Sequence, residues 1–275
     1  MLSSISIGPF ALTTSTALLL ASILLFWFLV SFLTKSTGNQ KFATDTLFLC
    51  LIVGFVIARM IFVLAMWEIY QKDWISAFDI RDGGLNHPLG WFTGSLLLII
   101  RVQGDRKLAF VYVKSALITG MMIFPLFVLN TLINNQNAVK SMELVTAQGE
   151  NLTLSLRTGK PLIINFWASW CPPCRREMPI LQDAQQKYED FEFIFVNQGE
   201  APTKARQFLK GNSIELHNMY YDLAGRSASQ LGAYGLPTTL FYNSEGKLIN
   251  SHMGELSEAT LHHYLQPLTD NSSKK

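Results

Sequence analysis

Residues 166–179 read FWASWCPPCRREMP, and this stretch decides the fold of the C-terminal half of the chain. It places Cys171 and Cys174 with two residues between them. The apolar run at residues 161–167 predicts a buried strand, and the residues after the cysteines have the apolar spacing of a helix. A strand that turns into a helix at a Cys-x-x-Cys motif indicates redox-active thiols.

The helix start predicts different roles for the two cysteines. Cys171 is expected at the N-cap, where unpaired backbone N–H groups and the positive end of the helix dipole stabilise a thiolate. Cys174, one turn further on, is expected to be shielded and to resolve the mixed disulfide that Cys171 forms with a substrate. Pro172 and Pro173 fit the first helical turn, where a missing N–H costs little.

The alternatives for this pair are half of a zinc site and an inert structural disulfide. A structural zinc site takes four ligands, usually Cys or His. The third cysteine, Cys50, lies far upstream in an apolar run, so a zinc site would lack ligands. We therefore expect no metal, and no cofactor other than a redox-active disulfide between Cys171 and Cys174.

A second motif, GLPTTLF at residues 235–241, opens a β-rich run. With this motif and the tract WCPPCRREMP, residues 142–268 resemble the thioredoxin superfamily, and most of all its membrane-tethered periplasmic branch, the TlpA/ResA-like thiol–disulfide reductases. The resemblance implies an α/β thioredoxin fold with a cis bond before Pro237 that faces the cysteines. It also implies that an extended substrate peptide binds at a surface formed by Trp170, Pro172, Pro173, Leu236, Pro237 and Thr238.

The activity that this resemblance implies is the reduction of protein disulfides. Its partners would be protein disulfide substrates, in cytochrome c or metalloprotein maturation or in oxidative-stress repair. A separate membrane or periplasmic reductant would be needed, because an electron relay within the membrane takes two thiols and Cys50 is one. The direction of electron flow stays open, since the reduction potential depends on local electrostatics.

One residue departs from the thioredoxin pattern. Thioredoxins keep a buried Asp six residues before the first cysteine as a proton acceptor, and this chain has Asn165 there. Because an amide cannot take a proton, water or another carboxylate would have to serve. Glu177 lies one turn beyond Cys174, but we expect it to be a solvated helix residue.

The composition indicates a membrane protein. Hydrophobic residues make up 49% of the 275 residues and charged residues 15%, against about a quarter in soluble proteins. We expect an all-α transmembrane bundle of about four helices in residues 1–135, at 11–33, 47–70, 87–102 and 108–132. A periplasmic α/β thioredoxin-fold domain would follow in residues 136–275. Three spans are the alternative if the third is re-entrant, and a cleaved signal peptide is the alternative for the first.

The basic residues between the predicted spans set the expected orientation. Lys35 and Lys41 lie in the first connection, and Arg101, Arg106 and Lys107 lie in the third. By the positive-inside rule, both connections face the cytoplasm. Both termini then lie in the periplasm, and the chain is a multi-pass protein of a bacterial inner membrane. The net charge of +2 is too small to favour a nucleic-acid partner.

Residues 53–64 and 80–85 resemble the prolipoprotein diacylglyceryl transferase family. The resemblance implies a membrane scaffold with a lipid-facing groove, and it makes His87 a candidate site residue. Arg59 is a candidate because a charged side chain inside a span is costly, and a structural arginine bound to carbonyl groups is the alternative. His87 stands one position out of the family's register, and the family's later Arg- and Asn-bearing motifs are missing, so acyl transfer is not implied. Gly90 and Gly94 have the spacing that lets two helices approach closely.

Two further functions remain open at this point. One is a lipid-modifying or lipid-binding membrane protein whose thioredoxin domain acts as a redox regulator. The other is a non-enzymatic anchor or chaperone that uses the thioredoxin surface for docking.

Overall fold

The computed structural model describes residues 4–7, 10–35, 38–136, 141–146, 148–156 and 159–272. They form two compact units. The helical unit comprises Thr14–Phe78 and Gly84–Ile133, and the C-terminal unit comprises Met1–Thr13, Asp79–Gly83 and Asn134–Lys275. The sequence suggested one boundary between residues 135 and 136, so the placement of residues 79–83 in the C-terminal unit was not anticipated.

The N-terminal half is mainly helical. Its elements are β1 (Ser4–Ile7), β2 (Phe10–Thr13), α1 (Thr14–Thr34), α2 (Gln40–Ala65), α3 (Trp67–Tyr70), α4 (His87–Val102) and α5 (Arg106–Gln136). Two short 3-10 turns, Trp74–Phe78 and Ile80–Asp82, lie between α3 and α4. The first helix starts after the predicted residue 11 because residues 10–13 pair with β1 as an antiparallel hairpin.

Three helices in the described part of the chain could cross a membrane by length and composition: α1, α2 and the first 27 residues of α5. The third predicted span, residues 87–102, corresponds to α4, which has 16 residues. At the usual helical rise it is about 24 Å long, shorter than the roughly 30 Å hydrocarbon core of a bilayer. The structure therefore has three long apolar helices and one short helix where about four spans were expected.

Glycines let α2 and α4 pack backbone against backbone. A Cβ on Gly54 would lie 2.8 Å from the Gly90 carbonyl oxygen, and a Cβ on Gly94 would lie 3.0 Å from the Cys50 carbonyl oxygen. Residue numbers rise along α4 as they fall along α2, so the two helices are antiparallel. The spacing of Gly90 and Gly94 thus marks a close helix contact, as expected.

Two side-chain hydrogen bonds mark the ends of the helical unit. At one end, Asn39 before α2 donates to Asp105 before α5, at 3.3 Å. At the other end, Asn130 late in α5 donates to Ser15 at the start of α1, at 3.4 Å. The chain thus enters α1 and leaves α5 at the same end of this unit. The basic residues of the two connections, Lys35, Lys41, Arg101, Arg106 and Lys107, lie toward the opposite end.

The C-terminal unit is built on a seven-stranded mixed sheet in the order β4-β3-β7-β6-β5-β8-β9. Its strands are β3 (Ser141–Val145), β4 (Asn151–Ser155), β5 (Leu162–Trp167), β6 (Glu192–Gln198), β7 (Met219–Asp222), β8 (Thr238–Tyr242) and β9 (Leu248–Met253). Its helices are α6 (Pro172–Lys187), α7 (Pro202–Gly211), α8 (Arg226–Gln230) and α9 (Glu258–Ser272). The strands β5, β6 and β7 are parallel, and β8 runs antiparallel to β5.

The central strand β5 separates two hydrophobic cores. All six of its residues are buried, as predicted from its apolar sequence. Ile163 and Trp167 pack in the core that contains both cysteines, whereas Ile164 and Phe166 pack in the core on the opposite face. Asn165 alternates with Ile164, so its side chain lies on the same face as the cysteines.

The connections around β5 follow the sequence closely. β5, α6 and β6 form the predicted βαβ crossover. β8 and β9 form the predicted hairpin, in which Asn243 Oδ1 accepts the N–H groups of Glu245 and Lys247. This arrangement, with helices on both faces of a mixed sheet, is the expected α/β thioredoxin fold.

Candidate functional site

The two cysteines form a disulfide at the start of α6. Cys171 is the N-cap residue, as predicted, and its Sγ accepts the N–H of Cys174 at 3.3 Å. Pro172 and Pro173 occupy the first helical positions and carry no N–H. The amide of Cys174 is therefore the first in the helix that can stabilise negative charge on the Cys171 sulfur.

The surroundings of the disulfide are buried on one side and open on the other. Cys171 is 3% exposed and Cys174 is 0% exposed. Trp170, the residue before the pair, is 66% exposed, so its indole ring is not part of the core. Pro172 is also exposed, and Pro173 is half-buried. An exposed apolar rim beside a shielded disulfide suits contact with another protein chain.

The peptide bond between Leu236 and Pro237 is cis, as the resemblance implied. Leu236 packs against the core that contains both cysteines and also against the core on the opposite face of the sheet. The Pro237 carbonyl accepts the N–H of Gly254 at 3.0 Å, and Thr238 is buried opposite Phe166 in the sheet. The structure thus brings this loop, and Leu236 in particular, to the core that holds the disulfide.

A polar network holds the loop that precedes Cys171. Glu200 is 9% exposed, and its carboxylate accepts both the N–H and the hydroxyl of Ser169 at 2.6 Å. It also accepts the side-chain amide of Asn197, late in β6, at 2.7 Å. Residue 169 is therefore tied to the neighbouring strand. The sequence analysis did not predict a role for Glu200 or Asn197. Their position, as polar residues at the end of a buried strand, could have indicated one.

A carboxyl group is buried one helical turn after Cys174. Glu177 is 0% exposed, so the expectation that it is a solvated residue is wrong. Its Oε1 accepts from Asn165 Nδ2 and its Oε2 accepts from the N–H of Leu256, both at 2.9 Å. Burial raises the pKa of Glu177 from 4.5 to about 8, although the two hydrogen bonds act in the opposite direction.

Asn165 connects this carboxyl group to the sheet. Its side-chain amide donates to Glu177 and also to the Thr239 hydroxyl, at 2.9 Å in both cases. A buried acid is therefore present on this face of the sheet, but it comes from α6 and not from β5. Helical spacing could have revealed it, because residue 177 follows buried Cys174 by three positions and precedes buried Leu181 by four.

The candidate residues of the helical unit have different environments. Arg59 is buried, and its guanidinium donates to the carbonyl oxygens of Ala77 at 2.9 Å, Gly84 at 2.8 Å and Ser76 at 3.4 Å. Its guanidinium carbon also lies 5.8 Å and 5.6 Å from the ring centres of Phe62 and Tyr70. His87 is exposed at the start of α4. These contacts give Arg59 the role of a backbone clamp, the structural alternative for a buried arginine.

Two family models match the chain. Residues 133–266 match the model described as Redoxin. Residues 3–128 match the model described as Prolipoprotein diacylglyceryl transferase. The two matches fall on the two halves of the chain, as the two resemblances in the sequence did.

Curated relatives align with the C-terminal half. The thiol-disulfide oxidoreductase ResA of Bacillus thuringiensis is 29% identical over 124 residues, which cover 44% of this chain and 71% of ResA. The thiol:disulfide interchange protein DsbE of Yersinia pestis is 31% identical over 113 residues, which cover 41% of this chain and 59% of DsbE.

Solved structures align with the same half. One of a putative DsbE from Chlorobium tepidum is 27% identical, with a TM-score of 0.42, and the match covers 46% of this chain and 92% of that chain. The C-terminal half of this chain thus matches the Redoxin model, and its curated relatives are thiol–disulfide oxidoreductases of the ResA and DsbE type.

Proposed function

We propose that the chain is a membrane-anchored reductase of protein disulfides that works through Cys171 and Cys174 on the periplasmic side of a bacterial inner membrane. The observation that carries this proposal is the disulfide at the start of α6, with its sulfur against a helix amide and an exposed tryptophan beside it. The reaction uses no cofactor other than this disulfide.

In the first step, the Cys171 thiolate attacks one sulfur of a substrate disulfide. The substrate S–S bond breaks, a mixed disulfide forms, and the other substrate sulfur leaves as a thiolate that takes up a proton. The Cys174 N–H favours the thiolate form of Cys171, because a hydrogen bond to a charged sulfur stabilises the charged state.

In the second step, the Cys174 thiol loses its proton and attacks the Cys171 sulfur. The substrate leaves with both sulfurs reduced, and the disulfide between Cys171 and Cys174 remains. Glu177 is the proposed proton acceptor, because it lies on the buried face of α6 one turn from Cys174. A carboxyl pKa of about 8 is close to that of an ordinary thiol, so the proton can pass between the two groups. A separate reductant then supplies two electrons to the disulfide.

The substrate would lie across Trp170 and the loop 236–238. The open rim at Trp170 and Pro172 provides apolar contact area, and Leu236 packs against the core that holds the disulfide. An extended peptide that binds there would place its disulfide at the Cys171 sulfur.

The geometry of the helical unit supports the proposed orientation. The basic connections lie at one end of that unit, and the chain leaves α5 at the other end. If the basic end faces the cytoplasm, residues that follow α5 emerge on the periplasmic side. The short α4 returns the chain to the basic end, so it counts as a crossing in this arrangement.

Two variants of the full chain test the proposed chemistry. We expect Cys171→Ser to abolish the reduction of insulin disulfides, by about a thousandfold or more, since the attacking sulfur is lost. We expect Cys174→Ala to accumulate a mixed disulfide with insulin, visible on a non-reducing gel. Cys50→Ser is the matched control and should reduce insulin at the normal rate. Full activity of either active-site variant would reject the proposal.

A topology reporter tests the location separately. A reporter that is active only outside the cytoplasm, fused after residue 275, should be active. The same reporter inserted in the connection between α4 and α5 should be silent. The reverse pattern would place the redox unit in the cytoplasm and exclude a periplasmic reductase.

The match of residues 3–128 favours a second candidate function, a lipid-binding or lipid-modifying helical unit. The backbone contacts of Arg59 and the exposure of His87 give this candidate less support than the disulfide gives the first. A lipoprotein acylation assay separates them. Acyl transfer that needs Arg59 and His87 but not Cys171 would replace the first proposal.

A further inference from the structure

A five-residue segment from far upstream belongs to the redox unit. Asp79–Gly83 lies before α4 in the sequence but within the C-terminal unit. It contains the 3-10 turn Ile80–Asp82, and Asp82 is 5% exposed. The turn rests on the start of α9, since Asp82 Oδ2 accepts the Ser257 hydroxyl at 2.8 Å and its carbonyl oxygen accepts the Thr260 hydroxyl at 3.2 Å.

Ser257, one of the two residues that Asp82 contacts, is the last residue of a turn that also contacts Glu177 and Pro237. This turn, residues 254–257, connects β9 to α9. At its first residue, the N–H of Gly254 donates to the Pro237 carbonyl at 3.0 Å. At its third, the N–H of Leu256 donates to the Glu177 carboxyl at 2.9 Å. At its last, Ser257 Oγ accepts the N–H of Thr260 at 3.1 Å and caps α9.

Close packing fixes the other side of the same segment. Gly83 has φ +65°, and a Cβ on it would lie 3.2 Å from His252 Cε1. His252 is 7% exposed, and its Nε2 lies 3.2 Å from the Glu255 carbonyl oxygen inside the turn. The segment therefore contacts both the strand before the turn and the helix after it.

We propose that Asp82 is a positioning residue of the redox site: it holds Ser257 and Thr260 so that the turn 254–257 keeps the Leu256 N–H on the Glu177 carboxyl. The redox unit is then incomplete in residues 134–275 alone. The effect on catalysis rests on the proposed role of Glu177, whereas the effect on the turn does not.

Other charged groups near the turn define the controls. Glu255 faces Glu177 and raises its pKa, and the Arg176 guanidinium bonds the Glu255 carboxylate at 2.8 Å. His252 and Tyr264 pack behind the turn, with 3.4 Å between His252 Nδ1 and the Tyr264 hydroxyl oxygen. Arg81 pairs with Asp79 on the exposed side of the segment. The variants must therefore separate the effect of removing the Asp82 charge from the effect of removing its hydrogen bond to Ser257.

The experiment measures hydrogen–deuterium exchange of the amides in the turn 254–257 and the pH profile of insulin reduction, both in the full chain. Asp82→Ala should speed exchange in the turn about 3- to 10-fold, as expected for the loss of the hydrogen bond between the Ser257 hydroxyl and the Asp82 carboxylate. It should also move the midpoint of the pH profile upward by about half a pH unit, because a carboxyl that loses an N–H donor is harder to ionise.

Three further variants make the outcome decisive. Ser257→Ala removes the same bond from the other side and should reproduce both effects. Asp82→Asn keeps an acceptor for Ser257 and should restore most of the protection. Asp79→Asn removes a charge from the same segment but keeps an acceptor for the Arg81 N–H, and it should change neither measurement. If Asp82→Ala and Ser257→Ala exchange like the parent chain, the proposal is wrong. If insulin is not reduced by the parent chain, the proposed function fails, and the exchange data still decide the role of Asp82.

Discussion

Both units bury ionisable side chains, and two of these, Arg59 and Glu177, are held in opposite ways. In the helical unit, Arg59 donates to three backbone carbonyl oxygens and lies beside two aromatic rings. In the C-terminal unit, Glu177 accepts two hydrogen bonds, and burial still raises its pKa to about 8. A guanidinium stays charged at any physiological pH, whereas this carboxyl lies close to its ionisation point.

The difference shows that burial of a charged residue does not by itself mark a functional site. Fixed carbonyl acceptors around a permanent cation stabilise a loop, because they replace the water that the cation has lost. A carboxyl group with a pKa near neutral can take up and release a proton during turnover. The chemistry of the partners, and not the depth of burial, separates a clamp from a proton carrier.

Among the variants that test this comparison, Glu177→Gln should have the largest effect on the reaction rate. The amide keeps the size of the side chain but cannot take the Cys174 proton. We expect release of the substrate from the mixed disulfide to slow by about a hundredfold at pH 8, in the range of general-base effects. Quenched-flow analysis of the mixed disulfide measures this step. Asp183→Asn, on an exposed position of α6, is the matched control. An unchanged rate would remove Glu177 from the mechanism.

The same variant should change how stability depends on pH. The folded state holds the Glu177 proton up to about pH 8, whereas the unfolded chain releases it near the ordinary carboxyl pKa of 4.5. Between these values the folded state binds more protons, so the free energy of unfolding of the parent chain falls as pH rises. Glu177→Gln should lack this decline over pH 5–8, as thermal unfolding at a series of pH values would show. An equal decline in both chains would contradict the raised pKa.

A smaller effect, confined to the other unit, is expected from Arg59→Met. Methionine leaves the carbonyl groups of Ala77 and Gly84 without their donors, which should cost about 2 kcal/mol of stability. Thermal unfolding in detergent micelles measures the loss, and Arg101→Met, on an exposed position of α4, is the control. Insulin reduction should remain within about twofold of the parent rate. If Arg59→Met is as stable as the parent chain but does not reduce insulin, Arg59 takes part in the reaction and is not a clamp.

The smallest effect is expected from Trp170→Ala. An exposed tryptophan beside the disulfide should contribute to docking, so its removal should raise KM for insulin about three- to tenfold and leave kcat unchanged. Leu223→Ala is the control, because Leu223 is an apolar side chain of similar exposure, 54% against 66%, in the same unit. A fall in kcat with unchanged KM would show that Trp170 acts on the chemistry and not on docking.

Local patterns in the sequence predicted the part of the site that is built locally. The run LIINFW gave β5, and the motif that follows gave Cys171 as the N-cap of α6. The position of Glu177 depends on which face of α6 meets the sheet, and the charged neighbours Arg175 and Arg176 hid that face. Asp82 lies 175 residues from Ser257 in the sequence, so no local pattern could predict their contact. The bounds of α4 were predicted correctly, although a helix of 16 residues is shorter than the hydrocarbon core of a bilayer.

The two adjacent pyrrolidine rings at positions 172 and 173 have a consequence for electron affinity. A helix start usually offers three amides to an anion at its cap, and here Pro172 and Pro173 remove two of them. With one amide left, the negative sulfur is held less firmly, so the dithiol state gains less stability against the oxidised state. Under the proposed chemistry, the two proline rings therefore make the Cys171–Cys174 dithiol a better electron donor to the substrate disulfide.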